Sequence, residues 1–227
     1  MQLKARQLPS KIVAVVGALA AGKDVLANYL LQRHSVVVVE VGEFARQLVE
    51  EADKADAPHY DVSAQKMAEH GPEYVITCLV EEMSQNEEWP TAPLVITGVR
   101  TPAEVIALKE QFGSNLLLAY IRVGDQAARF NRVQQRDLTT DPDDFQEFIQ
   151  QDESLKVDFS LNNTAELADV VLWNNGSLDE FYDQIEAEIV PHILNQTGDG
   201  AQGYTGCRRK AGAQTARKVE GALEAAR

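Results

Sequence analysis

Two cysteines in 227 residues, Cys78 and Cys207, are too few and too far apart for a disulfide framework or a thiolate metal cluster. Histidine is also sparse, and His34, His59, His70 and His192 share no spacing that suggests a metal site or the base of a nucleophile. Basic residues are outnumbered, 21 Lys and Arg against 35 Asp and Glu, for a net charge of -14. That balance argues against nucleic acid as the main partner, because binding driven by counterion release needs clustered cations. An anionic ligand can bind only where positive charge is gathered locally. No segment approaches the roughly 20 consecutive apolar residues of a membrane span. A reducing, cytoplasmic compartment is the expectation, with no membrane partner.

What is present is a chain that is 44% hydrophobic and 25% charged, enough for one α/β domain with a sizeable core. Short β-branched runs at Ile12–Val16, Val36–Val41, Leu94–Thr97, Leu116–Val123 and Val170–Trp173 read as five strands. Continuous apolar runs imply burial on both faces, hence a mostly parallel sheet covered by helices on each side. Helices are expected at Lys23–Arg33, Glu43–Ala52, Ser63–Met83, Pro102–Phe112, Asp125–Arg136, Pro142–Leu155 and Ser177–Leu194. Asp141 with Pro142 would open the sixth, and Ser177 with Glu180 forms a capping box for the seventh. Residues 1–195 are therefore taken as one domain. From Gln196 to Arg227 the composition turns to Gly, Ala, Gln and Thr with a net basic balance, which reads as a flexible tail.

The start of the chain has a leader-like look, with Lys4, Arg6 and Lys11 ahead of the apolar run Ile12–Ala21. That run leads directly into Gly22-Lys23-Asp24 and a helical pattern, so it is expected to stay with the domain as its first strand. Gly17-Ala18-Leu19-Ala20-Ala21-Gly22-Lys23-Asp24 has the GxxxxGK spacing between strand and helix that marks a phosphate-binding loop. Glycines at both ends let the loop curl so that backbone N–H groups converge on phosphate oxygens. The helix N-terminus adds partial positive charge, and Lys23 adds a full one. Gly17, Ala20, Ala21, Gly22, Lys23, Asp24 and Val25 are the candidate nucleotide contacts. Asp24 stands where a Ser or Thr usually ligates Mg²⁺, and a carboxylate can also hold that hard cation.

Other segments resemble the P-loop kinases related to dephospho-CoA kinase and adenylate kinase. The resemblance covers about residues 11 to 190. Val41-Gly42-Glu43-Phe44-Ala45-Arg46 is similar to that family's second-strand GD…R segment, and Ile96-Thr97-Gly98-Val99-Arg100 to its DG(V/I)R. Arg129 to Arg136 resembles the RxxRxxxR helix leading into a lid, placed at about 125–157. Asn174-Asn175-Gly176-Ser177-Leu178 resembles the turn beside the adenine pocket. The resemblance implies a three-layer P-loop fold with a small helical lid, ATP and Mg²⁺ as cofactors, and transfer to a small phosphorylated acceptor. It implies Lys23, Arg100, Arg132 and Arg136 as catalytic residues, Arg132, Asn175 and Gly176 as nucleotide contacts, and Glu43, Arg46 and Arg100 as acceptor contacts.

Independently of that resemblance, Arg129, Arg132 and Arg136 fall at i, i+3 and i+7, so one helix face carries three guanidiniums. They can fork onto phosphate oxygens or pair with carboxylates such as Asp137 and Asp141. Arg46 and Arg100 sit near strand ends, the edge where open α/β sheets bind ligands. Thr97 stands where the family has Asp. Asp24 and Thr97 thus look like a hydroxyl and a carboxylate exchanged between two metal-binding positions. A non-catalytic nucleotide sensor with a degenerate metal site is the competing reading.

Overall fold

The computed structural model describes residues 11–50, 66–85, 92–136 and 141–194, with side chains of 46–50 left aside. Five strands, β1 (Ile12–Gly17), β2 (Val37–Glu40), β3 (Leu94–Thr97), β4 (Leu116–Arg122) and β5 (Val170–Trp173), form one sheet in the order β2-β3-β1-β4-β5. Every pairing is parallel, so the mostly parallel sheet expected from sequence is parallel throughout.

β1 lies at the centre and shows how the layers arise. Ile12, Ala14 and Val16 point into one core, Val13 and Val15 into the other. The first core is filled by α2 (Val41–Glu50), α3 (Tyr74–Gln85), α4 (Pro102–Phe112) and Leu161 of α7 (Leu161–Glu166). The second is filled by α1 (Lys23–Arg33), α8 (Leu178–Glu188) and α9 (Val190–Leu194). Each fully buried Leu or Ile contributes roughly 1.5–3 kcal/mol of transfer free energy. A strand apolar on both faces gains it twice over, which is why β1 and β3 are the most buried strands. β2 and β5 are edges, and apart from the buried Leu172 their side chains are half-buried or exposed, contrary to the uniform burial expected from their apolar runs.

α5 (Gln126–Arg136) stands over the C-terminal end of β1 through contacts to its following loop, and α6 (Phe145–Asp158) is tied to α5 through the Arg129–Asp152 pair. Four expected boundaries are corrected. Val41 begins α2 instead of ending β2. The long helix expected over Ser63–Met83 is helical at 66–70 and again from Tyr74, interrupted at Gly71, where φ is 109° and Pro72 follows. α6 is capped by Asp144, whose carboxylate accepts the Glu147 N–H, and so starts three residues after the expected Pro142. Ser177 and Glu180 do form their capping box, but α8 stops at Glu188 and α9 follows. Pro191, lacking an N–H, fits the first turn of the new helix and not the interior of one continuous helix. The Gln196–Arg227 tail lies outside the described residues.

Candidate functional site

The loop between β1 and α1 reaches over the C-terminal edge of the sheet. It turns with Ala20 at φ 55° and Gly22 at φ 105°, and the Ala21 N–H donates to the Ala18 carbonyl. A left-handed alanine is disfavoured and persists only where its surroundings hold it. Here three side chains do so. The buried Asn174 amide donates to the Ala21 carbonyl at 2.9 Å, Arg132 donates to the Ala20 carbonyl at 3.5 Å, and Arg129 donates to the Leu19 carbonyl at 3.0 Å. A Cβ at Gly22 would come within 2.4 Å of the Asn174 amide nitrogen, so that approach requires glycine.

Lys23 opens α1, whose N-terminus has no side-chain cap. Its ammonium donates to the carbonyls of Gly17 and Ala18, each at 2.9 Å. Burial pushes the ammonium down to about 8; Asp24 opposes the shift, Arg100 and Arg136 add to it, and Glu40 works against it. Uncapped helix amides, a desolvated lysine and glycine-dependent close packing are the features a polyphosphate fits. For a hard cation, Asp24 and Thr97 both line the cleft, and Mg²⁺ needs only one or two protein oxygens because it keeps its waters. Asp24 is exposed and Thr97 is 3% exposed.

The cleft is lined by residues 17–24, by Glu40 and by residues 97–100. Arg136, Asp152, Leu155, Phe159 and Leu161 complete its lining. Arg100 is held from behind: its N–H donates to the Glu104 carboxyl at 2.8 Å, its carbonyl accepts from the Thr164 hydroxyl at 2.8 Å, and its guanidinium stacks 5.0 Å over Phe159. Glu104 is fully buried and burial raises its pKa; it also completes the α4 capping box with Thr101.

The three arginines of α5 divide. Arg129, 2% exposed, makes a bidentate pair with Asp152 at 2.5 and 2.6 Å, and Lys156 joins Asp152 at 2.8 Å. Burial alone would raise the Asp152 pKa, but the hydrogen bonds from Arg129 and Lys156 outweigh it and hold the carboxyl below its ordinary range. Arg132 donates to the carbonyl of Asn174 at 2.8 Å and so sits behind the loop. Arg136 lines the cleft, paired with Asp141 at 2.6 Å twice over.

Of the other residues expected from sequence, Gly17, Ala20, Ala21, Gly22, Lys23, Asp24, Thr97 and Arg100 lie in the cleft. Val25 packs toward the second core. Asn175 accepts the Gly124 N–H, and a Cβ at the neighbouring Gly176 would strike the Glu180 carboxylate. Glu43 lies in the first turn of α2 without lining the cleft. The Arg46 side chain is outside the described residues. Asn174, Asp152, Leu155, Phe159 and Leu161 were not anticipated. Only Asn174 left a trace, as part of the Asn174–Leu178 turn.

No family model matches the chain. A UPF0200 protein of Pyrococcus horikoshii is 29% identical over 189 residues, covering 81% of this chain and 98% of the relative. A UPF0200 protein of Methanococcus maripaludis is 25% identical over 181 residues, covering 78% and 94%. Among solved structures, a Thermus thermophilus protein matches with a TM-score of 0.54 at 18% identity, covering 83% of this chain and all of the other. A gluconokinase from Sinorhizobium meliloti matches with a TM-score of 0.50 at 16% identity, covering 80% and 92%. Among the described residues no helix is long and apolar enough to cross a membrane. The parallel sheet with its flanking helices and the two structural neighbours together make this a P-loop kinase-like fold.

Proposed function

We propose that the chain is an ATP-dependent phosphotransferase acting on a small acceptor of the nucleoside monophosphate or dephospho-CoA type. The observation that carries this reading is the gathering of Lys23, Arg100 and Arg136 around one cleft at the N-terminus of α1, on a protein of strongly acidic composition. Phosphoryl transfer places its developing charge on oxygens, so catalysis consists largely of positioning and cationic stabilisation. Lys23 and the first amides of α1 would hold the β and γ phosphates, with Gly17, Ala20, Ala21, Gly22 and Val25 shaping the loop. Asp24 and Thr97 would supply oxygens to Mg²⁺, which neutralises phosphate charge when bound. Arg100 faces the acceptor, with Glu43 and Arg46 on the helix that follows β2. Arg136 lies on the lid side. Arg132 acts through the loop it supports, and Asn175 and Gly176 shape the turn beside it.

A second reading, a nucleotide-binding regulator without transfer, draws on one specific observation. Arg132 and Arg136 are both engaged by protein acceptors, Asn174 and Asp141. The two readings separate in an ADP-release assay with Mg-ATP and either AMP, a deoxynucleoside monophosphate or dephospho-CoA. Acceptor-dependent turnover that vanishes in Lys23→Ala and without Mg²⁺ supports the transferase. Nucleotide binding with no acceptor-dependent turnover transfers the conclusion to the regulator.

A further inference from the structure

Arg100 sits in a turn, with Gly98 at φ 83° ahead of it and Thr101 capping α4 behind it. A turn places a side chain well only if the backbone around it is held. Here it is held from two directions. Glu104 of α4 accepts the N–H groups of Arg100 and Thr101 on one carboxyl oxygen, each at 2.8 Å. The fully buried Thr164 of α7 donates its hydroxyl to the Arg100 carbonyl at 2.8 Å, closer than its 3.3 Å contact with the Ser160 carbonyl. Phe159, at the end of α6, then sets its ring against the guanidinium at 5.0 Å. A ring face attracts the cation without occupying an N–H and without cancelling the charge, as a carboxylate would. The contact therefore fixes a direction and itself leaves the charge for an anionic ligand.

The corner that supplies Phe159 and Thr164 is closely determined. Ser160, between α6 and α7, has φ 51° and ψ 41°, the left-handed conformation that often ends a helix but usually falls to glycine. A serine persists there only where its surroundings hold it. The next residue, Leu161, is 6% exposed and anchored in the first core. Seven residues before Phe159 on the same helix, about two turns, Asp152 grips Arg129, which donates to the Leu19 carbonyl of the phosphate loop. One end of this span thus reaches the loop and the other reaches Arg100. We propose that α6 is the member that sets Arg100 against the phosphate loop, and that Phe159 and Thr164 are the positioning residues at its C-terminal corner. The inference rests on the phosphotransferase reading and adds to it two residues outside the loop and the arginine segments.

The test uses the full chain with Mg-ATP and either AMP or dephospho-CoA as acceptor. Thr164→Val keeps the volume and loses the hydroxyl, whereas Thr164→Ser keeps the hydroxyl and loses a methyl. A space-filling role would make Val the better tolerated. Positioning predicts the opposite order: kcat/KM for the acceptor should fall about tenfold in Thr164→Val and stay within about threefold of wild type in Thr164→Ser. Phe159→Leu should also cost about tenfold, and Phe159→Tyr, which keeps the ring, should recover most of it. The KM for ATP should stay within about twofold in all four variants. The reverse order at Thr164, or equal losses for ATP and acceptor, overturns the inference. A second arm needs no turnover: the Arg100 Nε–H resonance of nitrogen-15-labelled protein, assigned by its disappearance in Arg100→Lys. It should move in Phe159→Leu and again in Arg129→Met with Asp152→Leu, which releases α6 from the loop. A resonance unmoved by either change also overturns the inference. If wild type turns over neither acceptor, the transferase reading fails, and the resonance still decides what places Arg100.

Discussion

The two sides of the cleft are built by opposite means. The phosphate side is backbone: a single loop, residues 17–24, whose carbonyls are tied down by Arg129, Arg132, Asn174 and Lys23. The opposite side is side chain: Glu40, Arg100, Leu155, Phe159 and Leu161, contributed by separate elements and partly open to water. Under the proposed transferase reading, one side would meet a group common to all nucleotides and can be rigid. The other would have to suit one particular acceptor, and its chemistry resides in parts that can be exchanged without disturbing the loop.

The contrast breaks first, and with the largest effect, at Arg129. Removing Arg129 leaves the buried Asp152 carboxylate with Lys156 as its one remaining cation, which puts the cost at the lower end of that for breaking a buried pair, about 3 kcal/mol, whereas replacing both Arg129 and Asp152 by apolar groups is often close to neutral. Arg129→Met should therefore lower unfolding stability by about that amount in urea titrations. The double variant Arg129→Met with Asp152→Leu should recover most of it. Because Arg129 also holds the Leu19 carbonyl, the double variant should regain stability yet keep a weakened affinity for ATP. Recovery of both together would mean that the loop holds its shape without the arginine.

A middle-sized effect concerns protonation. Lys23 titrates near 8 in the ligand-free protein because burial disfavours its charge. A bound polyphosphate favours the charged form and raises that value. Below pH 8 the lysine is already charged and ATP affinity should be flat. Above it, binding must take up a proton, so affinity should fall by up to tenfold per pH unit until the ligand-bound value is reached. Isothermal titration from pH 7 to 9.5 measures this. Lys23→Arg should lack the slope, because arginine stays charged throughout the range.

The same contrast explains what could be read from the sequence. The loop was legible because its chemistry is written in one stretch, Gly17 to Asp24, between a strand and a helix. The sheet was legible because apolar runs buried on both faces have few alternatives. The opposite wall was not. Phe159 caps the end of α6 and Leu161 opens the short helix α7, and nothing in their spacing from Arg100 indicates a meeting across about 60 residues of chain. Arg129 illustrates the remaining ambiguity. Its spacing with Arg132 and Arg136 permits a phosphate-binding face, and only the position of Asp152 on a neighbouring helix shows that it is held as a buried pair. The register of Glu40 with Thr97 is likewise a property of the sheet.

The smallest effect tests whether Arg136 belongs with the phosphate side or the acceptor side. It lines the cleft and weakens the proton affinity of Lys23, yet its guanidinium is forked onto Asp141. Arg136 is 29% exposed and Asp141 9%, so the pair is partly solvated and worth about 1 kcal/mol or less. Asp141→Asn keeps the shape and one hydrogen-bond acceptor while removing the competing charge. ATP affinity should then rise two- to fivefold, with unfolding stability lower by less than about 1 kcal/mol. An increase confined to ATP places Arg136 with the phosphate loop, whereas an increase confined to the acceptor assigns it to the opposite wall. Unchanged affinity for both would make the Arg136–Asp141 pair a brace for the segment between α5 and α6, and would leave Lys23 and the α1 amides to hold the phosphates without it.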